Sequence, residues 1–272
     1  MNAQKVLVVF CLLWCCTSNL RWAYQQEPAT VELAPLTVYG LSYERFAQGM
    51  LQTQIPADSL RTHSLSEALR EAGDVHFVEY GAPGQLASIN LRGLGSSRTS
   101  LLWNGIEINS FTLGSTDYAL FQTGASQVTV TEGAATSLMG NGAIGGTVSI
   151  QSVPLYSKHT SHQLSKELGS FGHQRQVMEL QNAGRHWSQR LHGSHVKASN
   201  DFPYVLGDST VRQRNAAYEL YSLSHDLHYR PDAPFSFSLH SWYQHNWREL
   251  QGARSNLNPI DVLEDQHLRV HL

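Results

Sequence analysis

The sequence predicts a mainly β protein with a small α component. Three observations carry this: short strand-like runs around one helix in the first half, long polar–apolar alternations after about Tyr156, and turn chemistry between them. The chain has 272 residues, 41% of them hydrophobic and 15% charged, with 21 Gly. Low charge and ample Gly exclude a long coiled coil or a charged disordered tail. Acidic residues number 22 against 19 basic, so no global basic footprint for nucleic acid exists.

The N-terminus reads as an export signal. Lys5 precedes an apolar run, Val6 to Cys16, that is too short to span a bilayer. The segment Leu20-Arg21-Trp22-Ala23 supplies a cleavage zone, giving a signal peptide over residues 1–23. A lipoprotein reading is weaker, because bulky Trp14 precedes Cys15. All three cysteines, Cys11, Cys15 and Cys16, lie in this stretch, so removing it leaves no disulfide framework and no thiol-ligated metal.

A polar, proline-marked stretch follows from Gln25 to Pro35, then an extended segment at Leu36-Thr37-Val38-Tyr39-Gly40. Ser64 and Glu67 make a capping box ahead of Ala68-Leu69-Arg70, and Gly73 ends that helix. Val75 to Val78 is strand-like. Ser88 to Gly93 alternates at period two. Ser100 to Trp103 runs into Asn104-Gly105, a strong hairpin signal, with Ile106-Glu107-Ile108 returning. Gln127 to Thr131 and Thr147 to Gln151 are further strands, and Ala134 to Met139 suits a short helical turn.

Beyond Tyr156 the strands lengthen. Gln174, Gln176, Met178 and Leu180 share one parity, and Asn182-Ala183-Gly184 turns the chain. Arg185 to Ala198 is a second strand, Ser199 to Val211 a long loop, and Arg214 to Tyr229 a third strand. Pro231-Asp232-Ala233-Pro234 is a tight turn before an alternating segment from Phe235 to Tyr243. Strands of this length with an aromatic-rich face match transmembrane β-barrel patterning. Periodicity alone also admits a soluble periplasmic β-sandwich acting as a binding or adhesion module.

Catalytic and metal signals are weak. Gly140-Asn141-Gly142-Ala143-Ile144-Gly145 is a literal dinucleotide fingerprint, but β-branched Thr147-Val148 follows where a helix is required. Of 14 histidines, twelve follow residue 150. His192/His195 and His225/His228 are spaced three apart, which places each pair on opposite faces of a strand. No catalytic set, cofactor or protein-held metal is therefore expected, and the chain does not read as an enzyme.

The segment Asp74 to Ser152 resembles the plug domain of TonB-dependent outer-membrane receptors. Gly84 to Gly93 is similar to the family strand that ends in arginine-glycine, here Arg92-Gly93. Leu102 to Asn109 is similar to its hairpin, with Asn104-Gly105 at the turn. Val128 to Gly133 is similar to the next strand, although Glu132-Gly133 stands where the family commonly has arginine-glycine. Leu138 to Ile150 is similar to the closing signature, through Gly140, Gly142, Gly145 and Gly146. The Gln85 stretch and the Asn109 to Asp117 loop look nearest to vitamin B12 (cobalamin) receptors.

The resemblance implies an α+β plug domain followed by the first antiparallel strands of an incomplete transmembrane β-barrel. The implied divisions are a signal at 1–23, an N-terminal segment at 24–40, a plug at 41–152 and partial barrel at 153–272. It implies energised uptake of a scarce ligand, cobalamin or a siderophore, across the cell outer membrane. It implies TonB, with its inner-membrane energising complex, as partner. The TonB-box candidate is Ala34, Pro35, Leu36, Thr37, Val38, Tyr39 and Gly40; such a segment pairs as an added strand. Ligand-contact candidates are Tyr80, Gly81, Gln85, Ser96, Arg98, Asn109, Ser110, Phe111 and Thr112. Four or five strands are expected after Ser152, where 120 residues follow. A plugged transporter barrel needs about 22 strands of ~9–11 residues. The expectation is a truncated frame, inactive as a transporter alone.

Overall fold

The computed structural model describes residues 51–55, 59–60, 63–72, 75–110, 114–122, 124–133, 142–251 and 261–272. All lie in one compact unit, Ala47–Leu272. The signal segment, the Ala34 to Gly40 segment and the Ala134 to Met139 turn lie outside the described residues.

The N-terminal half is an α+β domain. Its helix α1, Leu65–Glu71, starts where the sequence signal puts it. The Glu67 backbone N–H donates to Ser64 Oγ, and the Ser64 N–H donates to the Glu67 carboxylate at 2.8 Å. Leu65, Ala68 and Leu69 are spaced to share one helix face, and all three are buried.

The domain's sheet holds β1 (Leu51–Ile55), β4 (Thr99–Trp103), β5 (Ile106–Glu107), β6 (Gln127–Glu132) and β7 (Gly146–Gln151), in the order β1-β6-β7-β4-β5. Only β4 and β7 run parallel among these neighbours. A separate hairpin joins β2 (His76–Glu79) to β3 (Ala87–Asn90). Ile55, Ile89, Leu101, Val128, Val148 and Ile150 from these strands meet Leu65 and Leu69 in one core. Each β-branched or leucine side chain removed from water there contributes roughly 1.5–3 kcal/mol.

The Asn104-Gly105 signal holds. Both residues have positive φ, 47° and 86°, as a two-residue hairpin turn requires. The strand expected over Ser88 to Gly93 stops at Asn90, because Arg92 and Gly93 turn with φ of 54° and 73°. The glycine fingerprint leads directly into β7, not into a helix.

The second half is one antiparallel sheet of six strands. Its members are β8 (His159–Leu168), β9 (Gln174–Ala183), β10 (Trp187–Ala198), β13 (Tyr218–Tyr229), β14 (Phe237–Glu249) and β15 (Val262–His271). The expectation of four or five strands thus falls short by at least one. β8 hides in the sequence because it is mostly polar, with apolar Leu164 and Leu168 both exposed. The connection expected as loop from Ser199 to Val211 contains a hairpin, β11 (Pro203–Leu206) with β12 (Ser209–Arg212). β13 begins at Tyr218 rather than Arg214, because Asn215 turns with φ 54°.

The sheet stays open, ordered β15-β14-β13-β10-β9-β8. One face presents Met178, Leu191, Leu223, Tyr243 and Leu268 from successive strands. The other face packs against the α+β domain, and Trp242 enters that domain's core. A β-sandwich would cover this face with a second sheet. The α+β domain occupies that place instead.

Candidate functional site

The two ends of the long sheet differ. At one end residues 184–186 join β9 to β10 and 230–236 join β13 to β14; at the other 169–173 join β8 to β9, while the long connections 199–217 and 250–261 leave β10 and β14. The loop from Tyr80 to Leu86 meets the sheet at the long-connection end. Asn200 donates from Nδ2 to the carbonyls of Pro83 and Ala216, at 2.8 and 2.9 Å. Gln85 donates to the Glu249 carbonyl at 2.9 Å, and the Ala82 N–H donates to the Gln251 side chain at 3.2 Å. A Cβ on Gly84, whose φ is 83°, would overlap the Tyr218 ring.

An ion pair fixes the same corner. Arg248 Nη2 lies 2.6 Å from Asp117 Oδ2, both side chains 7% exposed. Asp117 Oδ1 also accepts from the backbone N–H groups of Ala87 and Ala119, at 3.0 and 3.1 Å. Burial pushes the Asp117 carboxyl above the ordinary range, and Arg248 with the two N–H groups pulls back against it. Arg248 donates as well to the Gly84 carbonyl at 3.3 Å.

From Asp117 the chain runs down the sheet's inner face. Gln244 donates to the Leu120 carbonyl and Ser222 to that of Gln122, at 3.2 and 2.7 Å. Phe121 and Trp103 pack on the Trp242 ring, with centroids 5.7 and 5.8 Å away. Gly124 lies against the His192 ring, where any Cβ would collide. On the other side of α1, Arg175 donates to the His63 carbonyl at 2.7 Å. Glu67, Arg70, His173, Arg175, Tyr218 and Gln122 line a polar cleft between that helix and the sheet.

The candidate contact residues divide. Tyr80 is 61% exposed at the long-connection end, beside exposed Gly81. Gln85 is buried and holds the sheet. Ser96 and Arg98 sit in a 3-10 turn with Arg98 exposed, and the Arg98 carbonyl accepts the Gly145 N–H at 2.8 Å. Asn109 is an internal brace: it accepts from the Leu101 N–H and Thr116 Oγ1 and donates to the Thr99 carbonyl. The Ser110 carbonyl accepts the Gly114 N–H. Phe111, Thr112 and Gly140 lie outside the described residues.

The signature residues are framework. Asn104 donates its N–H to the Ile150 carbonyl and accepts the Ser152 N–H, tying the hairpin to the end of β7. Glu132 pairs with Leu51 and Gly146 across the sheet, and Gly133 follows with φ 111°. Gly142 lies close to the Glu107 carboxylate. Sequence reasoning missed Asp117, Gln122, Trp242 and Arg248. Asp117 was visible only as the end of a loop. Trp242 and Arg248 share the inward parity of Gln244 and Asn246, which was the available signal.

Comparison with known proteins matches residues 52–147 to the TonB-dependent receptor plug domain. The vitamin B12 transporter BtuB of Vibrio vulnificus (strain YJ016) is 30% identical over 122 residues, 44% of this chain and 20% of that protein. BtuB of Photobacterium profundum is 33% identical over 99 residues, 36% of this chain and 16% of that protein. The chain thus spans about one-fifth of the length of these relatives. Among solved structures, P. aeruginosa FpvA with a bound pyoverdine superposes with TM-score 0.60 at 13% identity, covering 82% of this chain and 31% of that one. The copper transporter OprC gives 0.58 at 17% identity, covering 74% and 32%. These structures share the fold.

Residues 52–147 are similar to the plug domain of TonB-dependent receptors, and the fold is shared with these solved structures. Over the aligned residues the chain resembles the vitamin B12 transporters.

Proposed function

We propose that this chain supplies the plug and the first wall strands of an outer-membrane receptor for energised uptake of a scarce ligand. The plug comprises residues 41–152 and the wall residues 153–272. The observation that carries the reading is the pairing of faces on the long sheet. Its inner face holds a plug through Arg248, Gln244, Ser222 and Asn200. Its outer face on β13 reads Tyr221, Leu223, His225, Leu227 and Tyr229, with an aromatic at each end and leucines on both sides of His225, whose ring is bonded to Gln189 of β10. Those eight steps span about 26 Å along the strand at ~3.3 Å per residue, or ~20 Å after barrel tilt, close to the apolar band of such barrels.

The long-connection end is then the outside, where Tyr80, Gly81 and Arg98 offer a ligand surface of ring face, backbone and cation. Small residues permit close approach and the larger ones supply area and donors. The relatives' names favour a corrinoid, with an iron–siderophore as the alternative cargo. TonB engages Ala34 to Gly40 by strand addition after export through residues 1–23.

The test is in two parts. Carbonate extraction of cells expressing the chain should leave it in the membrane fraction; release with soluble proteins overturns the wall assignment. A receptor carrying this plug should bind cyanocobalamin or a ferric siderophore at its surface. Binding of neither refutes the ligand-surface assignment.

A further inference from the structure

The inner face of the wall carries a row of charged and titratable groups beneath the plug. Arg190 of β10 stands opposite Asp226 of β13, Asp226 opposite His240 of β14, and His240 opposite His271 of β15. Asp226 Oδ1 lies 2.6 Å from His240 Nδ1, both groups buried. The His228 ring meets that of His240 edge-on at 4.9 Å, and the His271 ring stacks on it at 5.8 Å. His228 uses Nδ1 on Ser238 at 2.9 Å, and its buried Nε2 has no partner; nor has His271 Nδ1. Three imidazoles thus cluster beside one carboxylate, which His240 contacts directly and the other two rings approach through His240.

The plug rests on this cluster with uncharged groups. The Trp103 ring meets His240 edge-on at 6.2 Å. Trp103, Ile150 and Ser152 of the plug also line a small cavity with Ser224, Asp226 and Trp242 of the wall. The other ionisable groups facing the row from neighbouring strands are accounted for among the described residues. Arg190 is paired with Glu179 of β9 at 2.8 Å, and His192 lies one row above it. Arg269 of β15 donates to Gln244 at 2.6 Å. With neutral imidazoles the carboxylates of Glu179 and Asp226 balance Arg190 and Arg269.

We propose that Asp226, His228, His240 and His271 form a proton-operated latch that holds the lower edge of the plug to the wall when neutral and loosens it on acidification. Positive charge gathered on the three rings meets one carboxylate, that of Asp226 beside His240; among the described residues no carboxylate touches the His228 or His271 ring, and Trp103 packs on His240 from the plug side. The added charge is relieved by admitting water, which the cavity at Ser152 and Ser224 adjoins, and the Trp103 contact is what gives way. This inference rests on the packing of plug on wall and is independent of which ligand is carried.

The test uses hydrogen–deuterium exchange on the full chain in detergent micelles, corrected for the intrinsic effect of pH on exchange. The two conditions are about pH 7.5 and about pH 5.5, either side of the ordinary imidazole pKa of about 6.5. Protection of residues 99–107 and 146–152 should fall about tenfold or more at the lower pH, as these strands open locally ahead of the rest of the domain. The combined His228→Asn, His240→Asn and His271→Asn variant should lose that pH dependence, and His228→Asn alone should reduce it. The outward-facing pair His195→Asn and His245→Asn should leave it intact. Equal protection of the unaltered chain at both pH values overturns the latch, whether or not the triple variant folds. So does loss of the effect in the outward-facing variant.

Discussion

Arg248→Met removes the cation of the Asp117 pair and keeps most of the side chain's bulk. The Asp117 carboxylate then stays buried, 7% exposed, with two backbone N–H groups and no counter-charge. Breaking such a pair from one side costs about 3–5 kcal/mol. The lost bond to the Gly84 carbonyl adds about 0.5–1 kcal/mol, since at 3.3 Å it is long. Burial already holds the Asp117 carboxyl above its ordinary value, and without Arg248 it rises further. A carboxyl raised by folding destabilises the fold above its pKa. The variant should therefore be weakest at alkaline pH and recover as pH falls. Adding Asp117→Asn removes the stranded charge while keeping an oxygen for Ala87 and Ala119. A double-mutant cycle read by urea unfolding of the full chain in micelles should give a coupling of about 2–3 kcal/mol. A coupling below ~0.5 kcal/mol, the ordinary additivity error, would refute the claim that this pair docks the plug.

Gly124→Ala places a methyl group into the His192 ring, so plug docking should weaken by about 1–3 kcal/mol, measured as a lower urea midpoint at unchanged wall content. Ser64→Ala should cost about 0.5–2 kcal/mol of helix stability, read by thermal melting. Burial opposes ionisation of Glu67, but its bonds to Ser64 and the field of Arg175 hold its pKa below 4.5. That stabilisation is present above the unfolded value and is lost as pH falls through the folded one, so Ser64→Ala should flatten the acid limb of the stability profile. Tyr80→Ala with Arg98→Ala should weaken surface ligand binding by ~1–3 kcal/mol in a receptor carrying this plug. Asn109 is left out of that variant because it braces β4. Leu36→Pro should lower uptake while surface binding persists; equal loss of both would count against strand addition to TonB.

Local chemistry made much of the plug legible. The Ser64–Glu67 box and the Asn104-Gly105 turn are set by residues a few positions apart, and both were readable at once. The long strands were legible where one parity was apolar, as from Met178 to Leu180. They were not legible at β8, whose exposed face is nearly as polar as its other face. The β11–β12 hairpin was hidden because its Gly207 turn sits among polar residues with little alternation. The docking contacts were out of reach for another reason. Asp117 and Arg248 are 131 residues apart, Gln122 and Ser222 are 100 apart, and no short-range pattern encodes such pairs. Asn109 shows the reverse case: a polar loop residue that reads as a ligand contact is consumed by its own strand.

The strict alternation of β13 bears on where this chain tolerates changes in length. Asp226 faces the plug while His225 and Leu227 face away, and every neighbour in β10 and β14 is matched to that order. Inserting a single residue between Tyr218 and Tyr229 would swap the two faces for the rest of the strand, sending Asp226 and His228 outward and Leu227 inward. An insertion of two restores the faces but shifts every partner along the ladder. Between Ala198 and Tyr218 the chain already doubles back on itself in β11 and β12, which among the described residues pair only with each other. Added or deleted residues there leave the register of all six long strands untouched. Insertions, tags and grafted epitopes therefore belong in that hairpin, and the wall strands admit substitution only.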